Sequence, residues 1–212
     1  LIKLPFLLMG IAAIYITYQI GHYWFNDTVG LFAAAFIASL QHTVMYSQIA
    51  RPYMSGMFFT LFAVWQLSLY LNDEEQPKWH YAGWIIGAIL CAYNHYFSLL
   101  TIFIIGLSGL LLVDREKLKA YLLSGVIIVL AFSPHIPITL HHLNKEGLGW
   151  LGKPGWDFPW QFLSYNFHFS FWVLGVFLFL GVIGFLYHFF YISDSGEKSI
   201  TKRFRYLSLV WL

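Results

Sequence analysis

Between Asp27 and Asp73 the chain carries one charged residue, Arg51, set between two uncharged stretches, Thr28 to Met45 and Met54 to Leu71. Each stretch has the roughly 20-residue length that a helix needs to cross a hydrocarbon core about 30 Å thick. The backbone of such a segment must satisfy its own hydrogen bonds in lipid, so a helix is the form it can take. The polar octet Tyr46-Ser47-Gln48-Ile49-Ala50-Arg51-Pro52-Tyr53 then falls at a membrane face where two spans meet. Pro52 suits the first turn of the second helix, where its missing N–H would have no partner anyway. A cation kept at that depth is costly and marks a function or a partner.

The pattern repeats along the chain. Apolar runs extend approximately from Leu4 to Trp24, Thr28 to Tyr46, Pro52 to Leu71, Tyr81 to Tyr96, Phe97 to Val113, Leu118 to Leu140 and Phe162 to Tyr191, and another begins near Tyr206. The fold expected is an all-α, polytopic transmembrane helical bundle, a single domain over 1–212 with about seven complete spans and the start of an eighth. Asn94-His95-Tyr96 is the polar break between the fourth and fifth runs and predicts a tight helical hairpin there. Only 10% of residues are charged, against about 25% in a soluble domain, which excludes an ordinary soluble enzyme and a nucleic-acid partner. Cys91, the single cysteine, lies in an apolar run and forms no internal disulfide. Gly106, Gly109, Gly175, Gly181 and Gly184 are expected at close helix contacts.

Lys and Arg favour the cytoplasmic side of short connections. With odd-numbered spans running inward, eight of the twelve (Lys78, Arg115, Lys117, Lys119, Lys198, Lys202, Arg203 and Arg205) fall inside. Lys3, Arg51, Lys145 and Lys153 fall outside, so the octet is expected on the extracytoplasmic face. The same side receives Tyr93-Asn94-His95-Tyr96, then Ser133-Pro134-His135 with His141-His142, then a loop from His141 to Gln161. That loop is rich in Gly, Pro and Trp and is expected to be re-entrant or to lie on the surface. Of the ten acidic residues, only Glu146 and Asp157 lie on this face.

Cations, imidazoles and phenols converging on one face suit an anionic ligand at the membrane surface, such as a lipid-linked phosphate. Arginine's planar fork clamps phosphate oxygens through paired N–H bonds, and lysine adds point charge. The competing reading is plain interfacial anchoring, common for Tyr, Trp, His, Lys and Arg. The candidate binding residues are Arg51, Tyr46, Gln48, Tyr53, Asn94, His95, Tyr96, His135, Lys145 and Lys153. Adjacent His141 and His142 point about 100° apart on a helix, and His135 lies two turns from His142, which argues against a zinc site. No cofactor is called for, and a divalent ion held through Glu146 or Asp157 stays open. Phosphate-loop, dinucleotide and Gly-x-Ser-x-Gly signatures are absent. The lack of a mid-span acid weighs against an ion-coupled transporter.

Tyr46-Ser47-Gln48-x-Ala50-Arg51-x-Tyr53, His95-Tyr96-Phe97-Ser98-Leu99-Leu100, Pro134-x-x-Pro137 and Gly149-Trp150-Leu151-Gly152-Lys153-Pro154 occur in that order. Together they resemble the bacterial family 39 glycosyltransferases of the GT-C superfamily, related to protein O-mannosyltransferases and lipid A aminoarabinose transferases. The resemblance implies a bacterial inner-membrane enzyme that transfers sugar from a polyprenyl-phosphate donor on the extracytoplasmic face, usually with inversion. Glycan, lipid or protein would be the acceptor. Members place the catalytic Asp or Glu in the first external loop, which implies an internal piece of a longer protein, with that loop upstream and a further part downstream. Arg51 matches the Arg of the family motif, while Ile49 stands where members often have Glu. The alternatives are a flippase or transporter for lipid-linked substrates and a non-catalytic membrane subunit.

Overall fold

The computed structural model describes residues 2–72, 78–144 and 153–187, and among these every regular element is a helix. In chain order they are α1 (Leu4–Trp24), α2 (Asp27–Ser39), α3 (Gln41–Ser47), α4 (Pro52–Asn72) and α5 (Lys78–Asn94). These are followed by α6 (Tyr96–Gly109), α7 (Arg115–Phe132), a 3-10 turn (Ser133–His135), α8 (Ile136–Asn144), α9 (Phe158–Asn166) and α10 (Phe171–Tyr187).

Local chemistry explains the boundaries. Asn26 caps α2 by accepting the Val29 N–H at 2.9 Å, with Asp27 favourably placed in the positive first turn. Pro52 opens α4, as expected from a ring that pre-sets φ. His95, extended at φ −165°, ends the α5 run and caps α6 through its own ring nitrogen. The hairpin expected at Asn94 to Tyr96 is therefore present, with Gly106 near the end of α6 lying beside the Trp84 ring near the start of α5.

α4 is the central helix, and Met54, Leu67 and Ser68 on it are almost fully buried. The pairings show how the helices alternate. Trp24 and Gly10 of α1 meet Ser68 and Met54 of α4, so these two run parallel. α5 runs against α4, with Asn94 at Ser55 and His80 at Gln66. α7 runs alongside α5, with Tyr81 at Ala120 and Tyr93 at Ala131. Two tryptophan indoles lock the pairs: Trp24 Nε1 donates to Ser68 Oγ at 2.9 Å and Trp84 Nε1 to Ser124 Oγ at 3.0 Å. Where both ends are dry, such a bond contributes about 0.6 kcal/mol, up to about 1.7. At the α1–α2 crossing the backbones nearly touch, since a methyl added at Gly21 would lie 2.7 Å from the Gly30 Cα.

This alternation sorts the polar groups to two ends. One end gathers Lys3, the octet, Asn94 to Tyr96 and Ser133 to His135; the other gathers Asp27, Lys78, Asp114, Arg115, Glu116, Lys117 and Lys119. The grouping agrees with the alternation expected from the apolar runs.

Several expected spans have a different form. The run Thr28 to Tyr46 is two helices bent by 63°, because Leu40 takes an extended conformation (ψ 135°) and breaks the ladder. The run Phe162 to Tyr191 is likewise interrupted: α9 and α10 meet at 97°, and His168 and Phe169 both sit at positive φ (55° and 56°) in the corner. Three described helical lengths are long and apolar enough to cross a membrane, Leu4–Trp24, Pro52–Asn72 and Arg115–His142, or up to five spans if each bent pair is one. α5, at 17 residues, is about as long as the expected fourth run, whereas α6, at 14, stops short of the expected fifth, Phe97 to Val113. The expected eighth run near Tyr206, and Gly149 to Gly152 of the aromatic loop, lie outside the described residues.

The glycines also divide. Gly106 and Gly109 pack against Trp84 and Tyr121 as expected, whereas nothing lies within 4 Å of a methyl built on Gly175 or Gly181. Gly175 and Gly181 of α10 therefore make no close helix contact among the described residues. Gly184 falls where side-chain surroundings are not described.

Candidate functional site

The octet end is assembled by α3, the turn before α4, and the α5–α6 junction. Asn94 ties these pieces together: its amide nitrogen donates to the Pro52 carbonyl at 2.8 Å, and its amide oxygen accepts from Ser55 Oγ at 2.6 Å. A methyl at the buried Gly56 would collide with Asn94 Nδ2 (2.8 Å) and Ser98 Oγ (2.6 Å), so glycine is what allows the α5–α6 junction to come so close. Asn94, read from the sequence as a binding residue, thus has its polar groups engaged in positioning the turn that presents Arg51.

Arg51 is exposed, and its guanidinium has no hydrogen-bond or ion-pair partner among the described residues. Its backbone N–H closes a tight turn onto the Ile49 carbonyl at 2.8 Å. Around it runs a file of rings. His42 and Tyr46 have centroids 4.6 Å apart, Tyr46 and Tyr53 4.6 Å, and Tyr53 and His95 6.0 Å. Tyr96 lies 6.2 Å beyond His95. Tyr46, Tyr53, His95 and Tyr96 are therefore brought together. His42 is an addition that the sequence reading did not offer: it lies one turn before Tyr46 on α3, inside the apolar run rather than in the octet.

His135 sits apart from this file. Its ring meets Tyr93 at 5.4 Å and Phe132 at 5.4 Å, and its Nδ1 pairs with Thr139 at 3.1 Å. Gln48 is exposed at the end of α3 and Lys153 is exposed ahead of α9. Asp157 accepts from the Gln161 side chain one turn on, within α9 itself. Lys145 and Glu146 lie outside the described residues. Among the described residues no three His, Cys, Asp or Glu side chains are placed to share a metal ion.

α9 reaches the octet's supporting helix from the side. The Tyr165 hydroxyl approaches the Met45 sulfur at 3.1 Å, and His168 Nε2 donates to the Ser39 carbonyl at 2.8 Å, at the α2–α3 break. Because α9 stands at 97° to α10, it lies across that helix rather than continuing it. Phe158 and Trp160 in its first turn, and Trp156 just before it, are exposed. The loop expected to be re-entrant or surface-lying, His141 to Gln161, thus ends in the first turn of α9, and the rest of α9 comes from the expected seventh run.

A groove of about 310 Å³ is lined by α5, α6 and α7, including Ala88, Ala92, Ile102, Phe103, Ile128 and Val129. It is almost wholly apolar. At its octet end Phe132 contacts Tyr93 and His135, so the apolar channel has a polar lip.

A sequence profile of the dolichyl-phosphate-mannose-protein mannosyltransferase family matches residues 1–138. The chain belongs to that family. It is accordingly an integral membrane protein of the glycosyltransferase class, in agreement with the GT-C resemblance drawn from its motifs. The match takes in α1 through α7, the octet and the α5–α6 junction. No curated protein and no solved structure matches the chain.

Proposed function

We propose that this mannosyltransferase-family protein transfers a sugar from a polyprenyl-phosphate donor to an acceptor on the extracytoplasmic face of a bacterial inner membrane. The observation that carries the reading is the guanidinium of Arg51, without a partner among the described residues, at the polar end of a bundle belonging to a family named for a lipid-phosphate sugar. The reaction is a displacement at the anomeric carbon. The acceptor oxygen forms the new bond, the bond from that carbon to the phosphate oxygen breaks, and the electron pair leaves with the polyprenyl phosphate. Arg51 stabilises the charge that grows on the departing phosphate, with Lys145 and Lys153 adding positive potential.

A carboxylate takes the acceptor proton. By family resemblance that base is an Asp or Glu of the first external loop, and Glu146 and Asp157 are the candidates within this sequence. Gln48 and Tyr96 contribute hydrogen bonds to sugar or phosphate oxygens, and His135 serves the polar lip of the groove. The groove itself suits the isoprenoid tail, an apolar chain that needs no polar partner along its length.

The test uses the full-length protein reconstituted in liposomes with a polyprenyl-phosphate sugar and its acceptor. Arg51→Ala is expected to lower transfer by about 100-fold, the usual loss when one charge-stabilising donor is removed, while detergent-solubilised protein remains monodisperse. Unchanged turnover defeats the role of Arg51. Movement of the lipid across the bilayer without any transfer favours a flippase, and neither activity favours a non-catalytic subunit.

A further inference from the structure

We infer that the ring face of Tyr53 and the outward nitrogen of His95 form a subsite for the pyranose ring of the donor, separate from the phosphate grip. The inference rests on the glycosyl-transfer reading above and assigns one part of the donor to one part of the site.

Three observations support it. Tyr53 is held firmly, because it follows Pro52, whose carbonyl is clamped by Asn94, and precedes Ser55, which donates to the same amide. A rigid aromatic loses little conformational entropy on binding, which makes it an efficient contact surface. Its ring is also open: neighbouring Tyr46 and His95 are tilted against it by 53° and 45° rather than laid flat on it, and the residue is 41% exposed. The axial face of a pyranose presents polarised C–H groups, which suit the negative face of an aromatic ring. Finally, His95 Nδ1 accepts the Phe97 N–H at 3.2 Å to cap α6. In the neutral ring the proton therefore sits on Nε2, which has no partner among the described residues and is left as a donor for a sugar hydroxyl.

The charge pattern agrees. α3, the octet, the first turn of α4 and the α5–α6 junction hold no carboxylate, and Arg51 lies two residues from Tyr53. A cation for the phosphate beside an uncharged aromatic shelf matches the two halves of a sugar phosphate.

Binding of undecaprenyl phosphate and of its mannosyl ester to the full-length reconstituted protein separates those halves. Wild type should bind the ester more tightly than the bare phosphate. Tyr53→Leu, which keeps an apolar side chain for the bilayer but has no ring, should weaken the ester up to about tenfold and leave the bare phosphate unchanged. Tyr53→Phe should stay within about twofold for both. His95→Asn, which retains a capping side chain, should weaken only the ester, and gives the same discrimination if the leucine variant does not fold. Equal losses for both lipids, or none for the ester, overturn the subsite while leaving the phosphate reading intact. A wild type that binds neither lipid takes down the glycosyl-transfer reading and the subsite with it.

Discussion

Lys117 and Arg51, at opposite ends of the bundle, are treated in opposite ways. At the end opposite the octet Lys117 is buried, with Nζ donating to the carbonyls of Tyr70 (2.9 Å) and Leu71 (3.1 Å) at the C-terminus of α4 and lying 5.7 Å from the Tyr70 ring centroid. Its charge meets the negative end of that helix and is used in holding α7 to α4. Nearby, Asp27 accepts from Tyr18 at 2.7 Å and lies 2.9 Å from His22. At the octet end Arg51 has no such engagement, and the neighbouring polar groups of Asn94, Ser55 and Pro52 are spent on fixing the backbone that presents it. Lys117 serves the packing of the bundle, whereas the guanidinium of Arg51 makes no such contact among the described residues, as the phosphate role proposed for it requires.

That contrast can be broken, beginning with the largest effect. Arg51→Ala should cost about 100-fold in transfer with little change in thermal stability; a protein that melts early instead would make Arg51 a structural residue like Lys117. Lys117→Ala should do the reverse, lowering stability by about 2–3 kcal/mol through two lost charge-assisted bonds and leaving the specific rate of the folded fraction unchanged. Thermal unfolding in detergent, read beside a donor-saturated rate, distinguishes the two. Asn94→Ala should show both signatures weakly, with about 1–2 kcal/mol of stability lost and a reduced rate, because the clamp on Pro52 loosens. The smallest effect is expected for Trp84→Phe, which removes one indole bond to Ser124 and should cost about 0.6 kcal/mol without touching transfer. A loss of transfer in that last variant would mean that the α5–α7 packing shapes the site after all.

A maleimide test of sidedness sharpens the same comparison. In a variant without Cys91, cysteines placed at Gln48 and at Lys78 should label from opposite sides of sealed vesicles, and labelling of both from one side would overturn the alternation.

Much of this arrangement was legible in the residues. Uncharged runs near 20 residues located most helices, since lipid leaves the backbone no other partner. Pro52 marked a helix start, Asn94 to Tyr96 marked the hairpin, and the isolation of Arg51 pointed to the octet. The breaks were harder to read. Leu40 and the pair His168 and Phe169 are ordinary residues within apolar sequence, carrying none of the Gly or Pro signals that mark a bend. What holds them in place is tertiary: the stacked rings of Phe36 and Phe177 (4.6 Å) and the Phe167 ring beside them. His42 was missed for a different reason: it sits one turn before the octet, in what reads as apolar span, although i,i+4 spacing already set it beside Tyr46. Asn94 carried the right signal, a polar residue at a helix junction, but its partners Ser55 and Pro52 are about 40 positions away and no local pattern reveals them.

The bond from His168 to the Ser39 carbonyl spans 129 residues. At about 5–20 residues per second of synthesis, that carbonyl waits on the order of ten seconds for its imidazole. Through that interval the nascent second crossing has a bare acceptor at its bend, exposed to whatever donor the insertion machinery or the bilayer offers. Closing the corner is therefore among the last acts of assembly, and the octet's supporting helix acquires its final brace only when nearly all of the described chain has been made.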